Sequence, residues 1–289
     1  MNIKWNVGAG FHPRPQWNPI SGRHGGLPLH FFWMIPLFLL VSLHAETGFL
    51  AQQAELAWQS RDKPRQTERA IRLWEEAVRA EPGRGELWVC LAKACGRVVR
   101  HSATSAERTR WADRALEYGS QAVRKAPLSS DAYAVYGEAL GQGADAHKGI
   151  HSLKSVRQAV AALKKAVALD PKNAYAHMLL ASFYRESPSV ISVGDKPKAL
   201  EEAKLAVEYG PQYAIDHLVL ARSLLELGKK EEGITQLRII VHLTPPADAV
   251  PETRADQETA RTMLRGLGVA ISTVPCGQVG GYCSDQEHL

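Results

Sequence analysis

The feature that most constrains this 289-residue chain is a ladder of small and large residues that recurs with a proline at its end. It reads Ala70, Trp74, Ala77, Pro82, then Ala115, Gly119, Ala122, Pro127, then Ala159, Leu163, Ala166, Pro171, then Ala199, Ala203, Ala206, Pro211. A weaker copy follows as Gly233, Leu237, Ile240, Pro245. The steps within each copy are four, three and five residues, so the first three members share one face of a helix. The proline has no backbone N–H and clashes with the preceding turn, so the helix stops before it.

After each of the first four prolines a second ladder begins: Trp88, Leu91, Ala92, Cys95; Tyr133, Tyr136, Gly137, Leu140; His177, Leu180, Ala181, Tyr184; and His217, Leu220, Ala221, Leu224. Steps of three, one and three again mark a single helical face. The small residue in the middle lets a neighbouring helix approach, and the large residues fill the gaps beside it. The unit is therefore a helical hairpin, repeated about five times, and the fold class is all-α, a solenoid.

These ladders resemble the tetratricopeptide repeat, whose first helix carries an aromatic, Leu-Gly and Tyr pattern and whose second carries Ala, an aromatic and Pro. The resemblance covers about residues 47–245 and is strongest in AVALDPKNAYAH and YAHMLLASFY. Standard units are about 34 residues long. The prolines here are 45, 44, 40 and 34 residues apart, so the earlier hairpins carry inserts of 11, 10 and 6 residues between their two helices. Long inserts and a closing helix are similar to two groups of such proteins. One is the regulator-of-microtubule-dynamics group, on ALEYGSQAVRKAPLSSDAYAVYGEAL and HKGIHSLKSVRQAVAALKKAVALDPKNAYAHMLLASFY. The other is the periplasmic T-component group associated with TRAP-type solute transporters. The first resemblance implies a cytoskeletal regulator, the second an accessory to small-molecule uptake.

The spacing predicts helices near 47–60, 64–81, 85–99, 104–126, 129–141, 147–170, 173–185, 195–209, 213–227 and 230–243, with an amphipathic helix at about 250–267 capping the stack. Three regions follow: 1–45, a solenoid over 46–268, and a flexible tail over 269–289.

Residues 27–43, LPLHFFWMIPLFLLVSL, are apolar and uncharged, a basic stretch precedes them, and Leu43-His44-Ala45 follows. This resembles a secretory leader cut after Ala45, which implies a periplasmic or secreted protein. An uncleaved membrane anchor remains open, although Pro28, His30 and Pro36 make the run marginal as a spanning helix. The net charge of +5 includes Lys4, Arg14 and Arg23 from this segment. The remaining chain holds 32 bases against 30 acids and has no nucleic-acid footprint. Of four cysteines, Cys276 and Cys283 lie in a Gly-rich tail, CGQVGGYC, able to close on itself. Cys90 and Cys95 fall on different faces of one helix and read as core residues.

No protease, hydrolase, P-loop or dinucleotide motif is present, and the expectation is a protein without catalysis or cofactor. The stretch GQGADAHKG reads as a loop. His147 and His151 stand four apart at a predicted helix start, a spacing that serves one metal, but only Asp145 is near to complete a set, so no metal is expected. His177 and His217 occupy the aromatic slot and read as packing residues. First helices line the inner face of such a stack. Counting turns places Lys93, Glu138, Met178, Ser182, Arg185, Leu218 and Arg222 on it. The surface suits a protein or peptide segment; a small ligand is the alternative that the T-component resemblance implies.

Overall fold

The computed structural model describes residues 47–147, 149–189 and 192–270. Residues 1–45, with the leader or anchor, and the Cys276–Cys283 pair lie outside the described residues. Among the described residues no helix is long and apolar enough to cross a membrane.

Among the described residues eleven helices follow one another: α1 (47–59), α2 (Gln66–Ala80), α3 (Gly85–His101), α4 (Ser105–Lys125), α5 (Ser130–His147), α6 (Ile150–Leu169), α7 (Ala174–Glu186), α8 (Lys196–Tyr209), α9 (Ala214–Glu226), α10 (Lys230–His242) and α11 (Val250–Gly266). Local chemistry sets many of the boundaries. Thr104, Asn173 and Asp195 each accept a hydrogen bond from the backbone N–H three residues on, at 3.2, 3.0 and 3.1 Å, and so cap α4, α7 and α8. At the other end, Pro82, Pro127, Pro171 and Pro211 each stand two residues past the last helical residue.

The helices pair as antiparallel hairpins, α3 with α4, α5 with α6, α7 with α8 and α9 with α10. Successive first helices also touch, α3 with α5, α5 with α7, α7 with α9 and α9 with α11, which makes them one continuous layer. The small residues of both ladders sit at these contacts. Ala70, Ala77, Ala159, Ala166, Ala181, Ala203 and Ala221 are fully buried, between Trp74, Leu163, Leu180, Leu237 and Ile240. A Cβ on Gly119 would meet the Tyr136 backbone at 3.0 Å, so only glycine allows α4 and α5 this approach.

The inserts differ from the sequence expectation. GQGADAHKG is not a loop: residues 141–147 are the last two turns of α5. Gly141 faces the Phe183 ring, where a Cβ would collide with the ring edge. The glycine serves close packing of α5 on α7, and that contact outweighs its weak helix propensity. Most added residues of the α3–α4 and α5–α6 hairpins are thus extra helical turns. The chain reverses at Gly149, whose φ of 101° an L side chain rarely adopts.

The closing helix caps the stack as expected, through Ala260 and Leu264 against Ala214, Leu218, Leu237 and Ile240. It also does something the ladders do not announce. Glu252 in its first turn reaches Arg61, just past α1, and Arg97 in α3. The layer of first helices therefore curls until its first and last members meet.

Candidate functional site

The inner layer places the residues expected there in different ways. Lys93 is exposed on α3. Ser182 and Arg222 are half-buried. Arg185 lies along α7 and donates to Glu226 at 3.0 Å and to Glu186. Met178 is buried at the junction of α7, α8 and α9, with Ala181, Ala203 and Val219. Leu218 is buried because α11 lands on α9. These two are core residues, since the face that points inward in a bare hairpin is covered by the next hairpin or the closing helix. Glu138 is also buried, and there it holds a polar junction. It accepts from Arg100, from the Tyr175 hydroxyl and from Gln142 Nε2 at 3.0 Å. Gln142 also donates to the Gly96 carbonyl at 3.1 Å, so α3, α5 and α7 are tied through one carboxylate.

Residues that sequence reasoning left out complete the face. Arg97 and Arg100 follow Lys93 at four and seven residues, on the same helical stripe, a signal open to inspection. The opposite partners were hidden. Glu252 Oε1 accepts from Arg61 Nε at 2.9 Å, and its Oε2 from Arg61 Nη2 at 2.5 Å, a forked pair. Arg97 donates to the same carboxylate. Burial alone would raise the Glu252 carboxyl, but the Arg61 hydrogen bond and the two guanidinium charges hold it below its usual range. Asp256, one turn on, is pushed up to about 6, by burial first, against the Arg222 charge that lowers it. Asp216 on α9 is pushed up to about 8 by burial and then by Asp256.

The aromatic slot is more specific than packing. The Trp88 ring N–H donates to the carbonyl of Pro82 at 3.0 Å. His177 Nε2 reaches the Pro171 carbonyl at 2.9 Å, and His217 Nε2 the Pro211 carbonyl at 3.0 Å. The ring thus satisfies a carbonyl that the terminating proline leaves open in the turn. His177 Nδ1 lies 2.6 Å from Glu202 Oε2. With a carbonyl and a carboxylate on its two nitrogens, the doubly protonated ring fits best. Burial lowers its pKa, but the Glu202 and Pro171 hydrogen bonds outweigh burial and leave it above 6.5. A raised histidine contributes stability that is complete below the unfolded value and lost as pH rises through the folded one. His177→Gln is therefore expected to cost more at pH 5.5 than at pH 8.5. Paired urea denaturation at the two pH values checks this; an equal cost refutes the charged ring.

Cys90 and Cys95 are free thiols on α3, each pushed up to about 12 by burial, which suits core packing rather than reactivity. The two histidines whose spacing would suit one metal are split: His147 ends α5 and meets Asp113 at 2.6 Å, whereas His151 belongs to α6. Among the described residues no group of three metal-binding side chains forms.

Comparison with known proteins decides the fold. The thermophilic TPR protein TTC0263 of Thermus thermophilus superposes with a TM-score of 0.58, over 74% of this chain and 99% of that one, at 20% identity. This chain has a tetratricopeptide-like fold. Two further TPR-like structures are more distant. YrrB, described as a TPR protein with an unusual peptide-binding site, gives a TM-score of 0.39 at 15% identity, over 75% of this chain and 90% of that one. MamA from Desulfovibrio magneticus RS-1 gives 0.42 at 16% identity, over 73% and 96%. The family model for regulator of microtubule dynamics protein 1-3 matches residues 49–190, from α1 into the α7–α8 connection. No curated protein sequence matches the chain.

Proposed function

We propose that this TPR-like chain is a non-catalytic scaffold of the periplasm or extracellular space that holds a segment of a protein partner along its inner helix layer. The observation that carries this reading is the continuity of that layer. Lys93, Ser182 and Arg222 reach its surface on α3, α7 and α9, and a long extended or helical segment can meet all three at once. The work done is surface complementarity, and no step of chemistry is assigned. Residues 1–45 serve as the leader, and 269–289, with a Cys276–Cys283 bridge, as the tail.

A photo-crosslinking side chain placed at Lys93 or Arg222 is expected to capture the same partner from cells, whereas one at Lys204 on the outer helix α8 captures nothing. Capture at Lys204 alone would refute the inner-layer reading. Mass spectrometry of the same material tests export: a mature chain beginning at Glu46 supports it, and an intact N-terminus on cytosolic protein refutes it.

The family-model match over residues 49–190 favours a second reading, a cytoskeleton-associated regulator. Co-sedimentation of the purified chain with microtubules separates it from the first.

A further inference from the structure

The pair of arginines that closes the stack is built as a carboxylate receptor. Arg61 is held from behind by groups that cannot leave. Its Nη1 donates to the Trp58 carbonyl at 3.0 Å, and its guanidinium lies 4.7 Å from the centre of the Trp58 ring. Its other edge, Nε and Nη2, presents the planar fork that matches two carboxylate oxygens. Arg97 approaches the same place from α3. The side chains of Arg61 and Arg97 are 3% and 10% exposed, so neither is solvated freely, and together they need an anion. Glu252 fills that need as one carboxylate between two guanidinium groups, with the Asp62 charge acting on Arg97 from further off. Lys93, Arg100 and Arg222 add further positive charge to the same layer, against Glu138 and Asp256, and Arg100 keeps 48% of its side-chain surface open to water.

The group that fills the receptor is carried in the first turn of α11. Glu252 begins α11, and residues 243–249 before it are non-helical and contain Pro245 and Pro246. The firm apolar contacts of α11, Ala260 and Leu264, lie two to three turns further along. The first turn of α11 is held to the first hairpin by Glu252 and by the Asp248 carbonyl, which accepts from Arg61, while Thr253 is buried beside Glu252 and Gln257 donates to the Leu243 carbonyl at 2.9 Å. Exchanging one carboxylate for another on the same two arginines conserves their hydrogen bonds, so opening to a carboxylate-bearing segment does not leave the arginines bare.

We propose that Arg61 and Arg97 are the receptor for an acidic residue of the partner segment, that Glu252 is its internal stand-in, and that α11 thereby gates the inner layer. This rests on the scaffold reading above and adds the chemistry of the partner: an Asp- or Glu-bearing peptide. A gate that occupies its own site lowers the apparent affinity by the fraction of closed molecules, and removing the competitor restores it.

The test uses the full chain and a fluorescein-labelled hexaglutamate peptide, with hexaglutamine as control, followed by anisotropy. Glu252→Gln is expected to tighten hexaglutamate binding by about tenfold or more. Arg97→Gln, which leaves Arg61 and Glu252 paired, is expected to weaken it by about tenfold. Hexaglutamine is expected not to bind. If Glu252→Gln loses the helical circular dichroism of the parent, Arg97→Gln decides by itself. Affinities unchanged in the folded variants, or hexaglutamine binding as well as hexaglutamate, would overturn the gate. Inner-layer crosslinking that persists alongside such a result would remove the gate and leave the scaffold reading standing.

Discussion

Leu163→Ala is expected to lower the unfolding free energy by about 3 kcal/mol, within the ~2–5 kcal/mol typical of a leucine emptied from a closed core. Leu163 has no exposed surface, and it is packed by Ala134, Val160, Ala166, Leu180 and Tyr184 in the centre of the stack. Its branched end also lies where a Cβ on Gly137 would stand, 2.7 Å from Cγ and 3.0 Å from Cδ2. Gly137→Ala is therefore expected to destabilise by about 1–2 kcal/mol, because overpacking exceeds the ~1 kcal/mol that alanine normally contributes within a helix. The two changes share the same space. In the double variant the new methyl enters the room that Leu163 vacates, so the combined cost falls below the sum of the singles by more than about 0.5 kcal/mol. Urea denaturation followed by circular dichroism gives all four corners. Strict additivity would mean that α5 and α6 do not interlock at this pair.

Glu138→Ala is expected to cost about 2–3 kcal/mol. Removing one member of a buried ion pair commonly costs ~3–5 kcal/mol, because the remaining charge keeps its desolvation without its partner. The lower figure applies because Arg100 can recover water on its open side. The Tyr175 hydroxyl would also lose its acceptor, and Gln142 one of its two. Glu138→Gln keeps an acceptor in place and is expected to cost roughly 1 kcal/mol, the scale of one net hydrogen bond. Equal effects of the two substitutions in urea would show that the carboxylate charge is not what ties α3, α5 and α7.

The ladders made most of the fold legible. Ala166 and Ala181 are both fully buried, as small residues at helix crossings must be. The terminating prolines and the caps at Thr104, Asn173 and Asp195 are local signals, read within a few residues. The misreading of residues 141–147 has the same origin. Glycine in GQGADAHKG signals a turn when only neighbours are considered, and the Phe183 ring that rewards its missing side chain is 42 residues away in the chain.

The candidate site divides likewise. Lys93, Arg97 and Arg100 form a helical stripe visible in the sequence, and Ser182, Arg185 and Arg222 follow from the repeat phase. Met178 and Leu218 share that phase yet are buried, since the next hairpin and the closing helix cover them.

The sequence alone determined the hairpin, its repetition, its helix ends and the need for a cap, because each depends on interactions that recur at fixed short spacing. Tertiary structure alone decided that the layer closes on itself. Arg61 and Glu252 stand 191 residues apart, and no periodicity links them. Their meeting is the accumulated result of a small rotation at every hairpin contact, added over the whole stack.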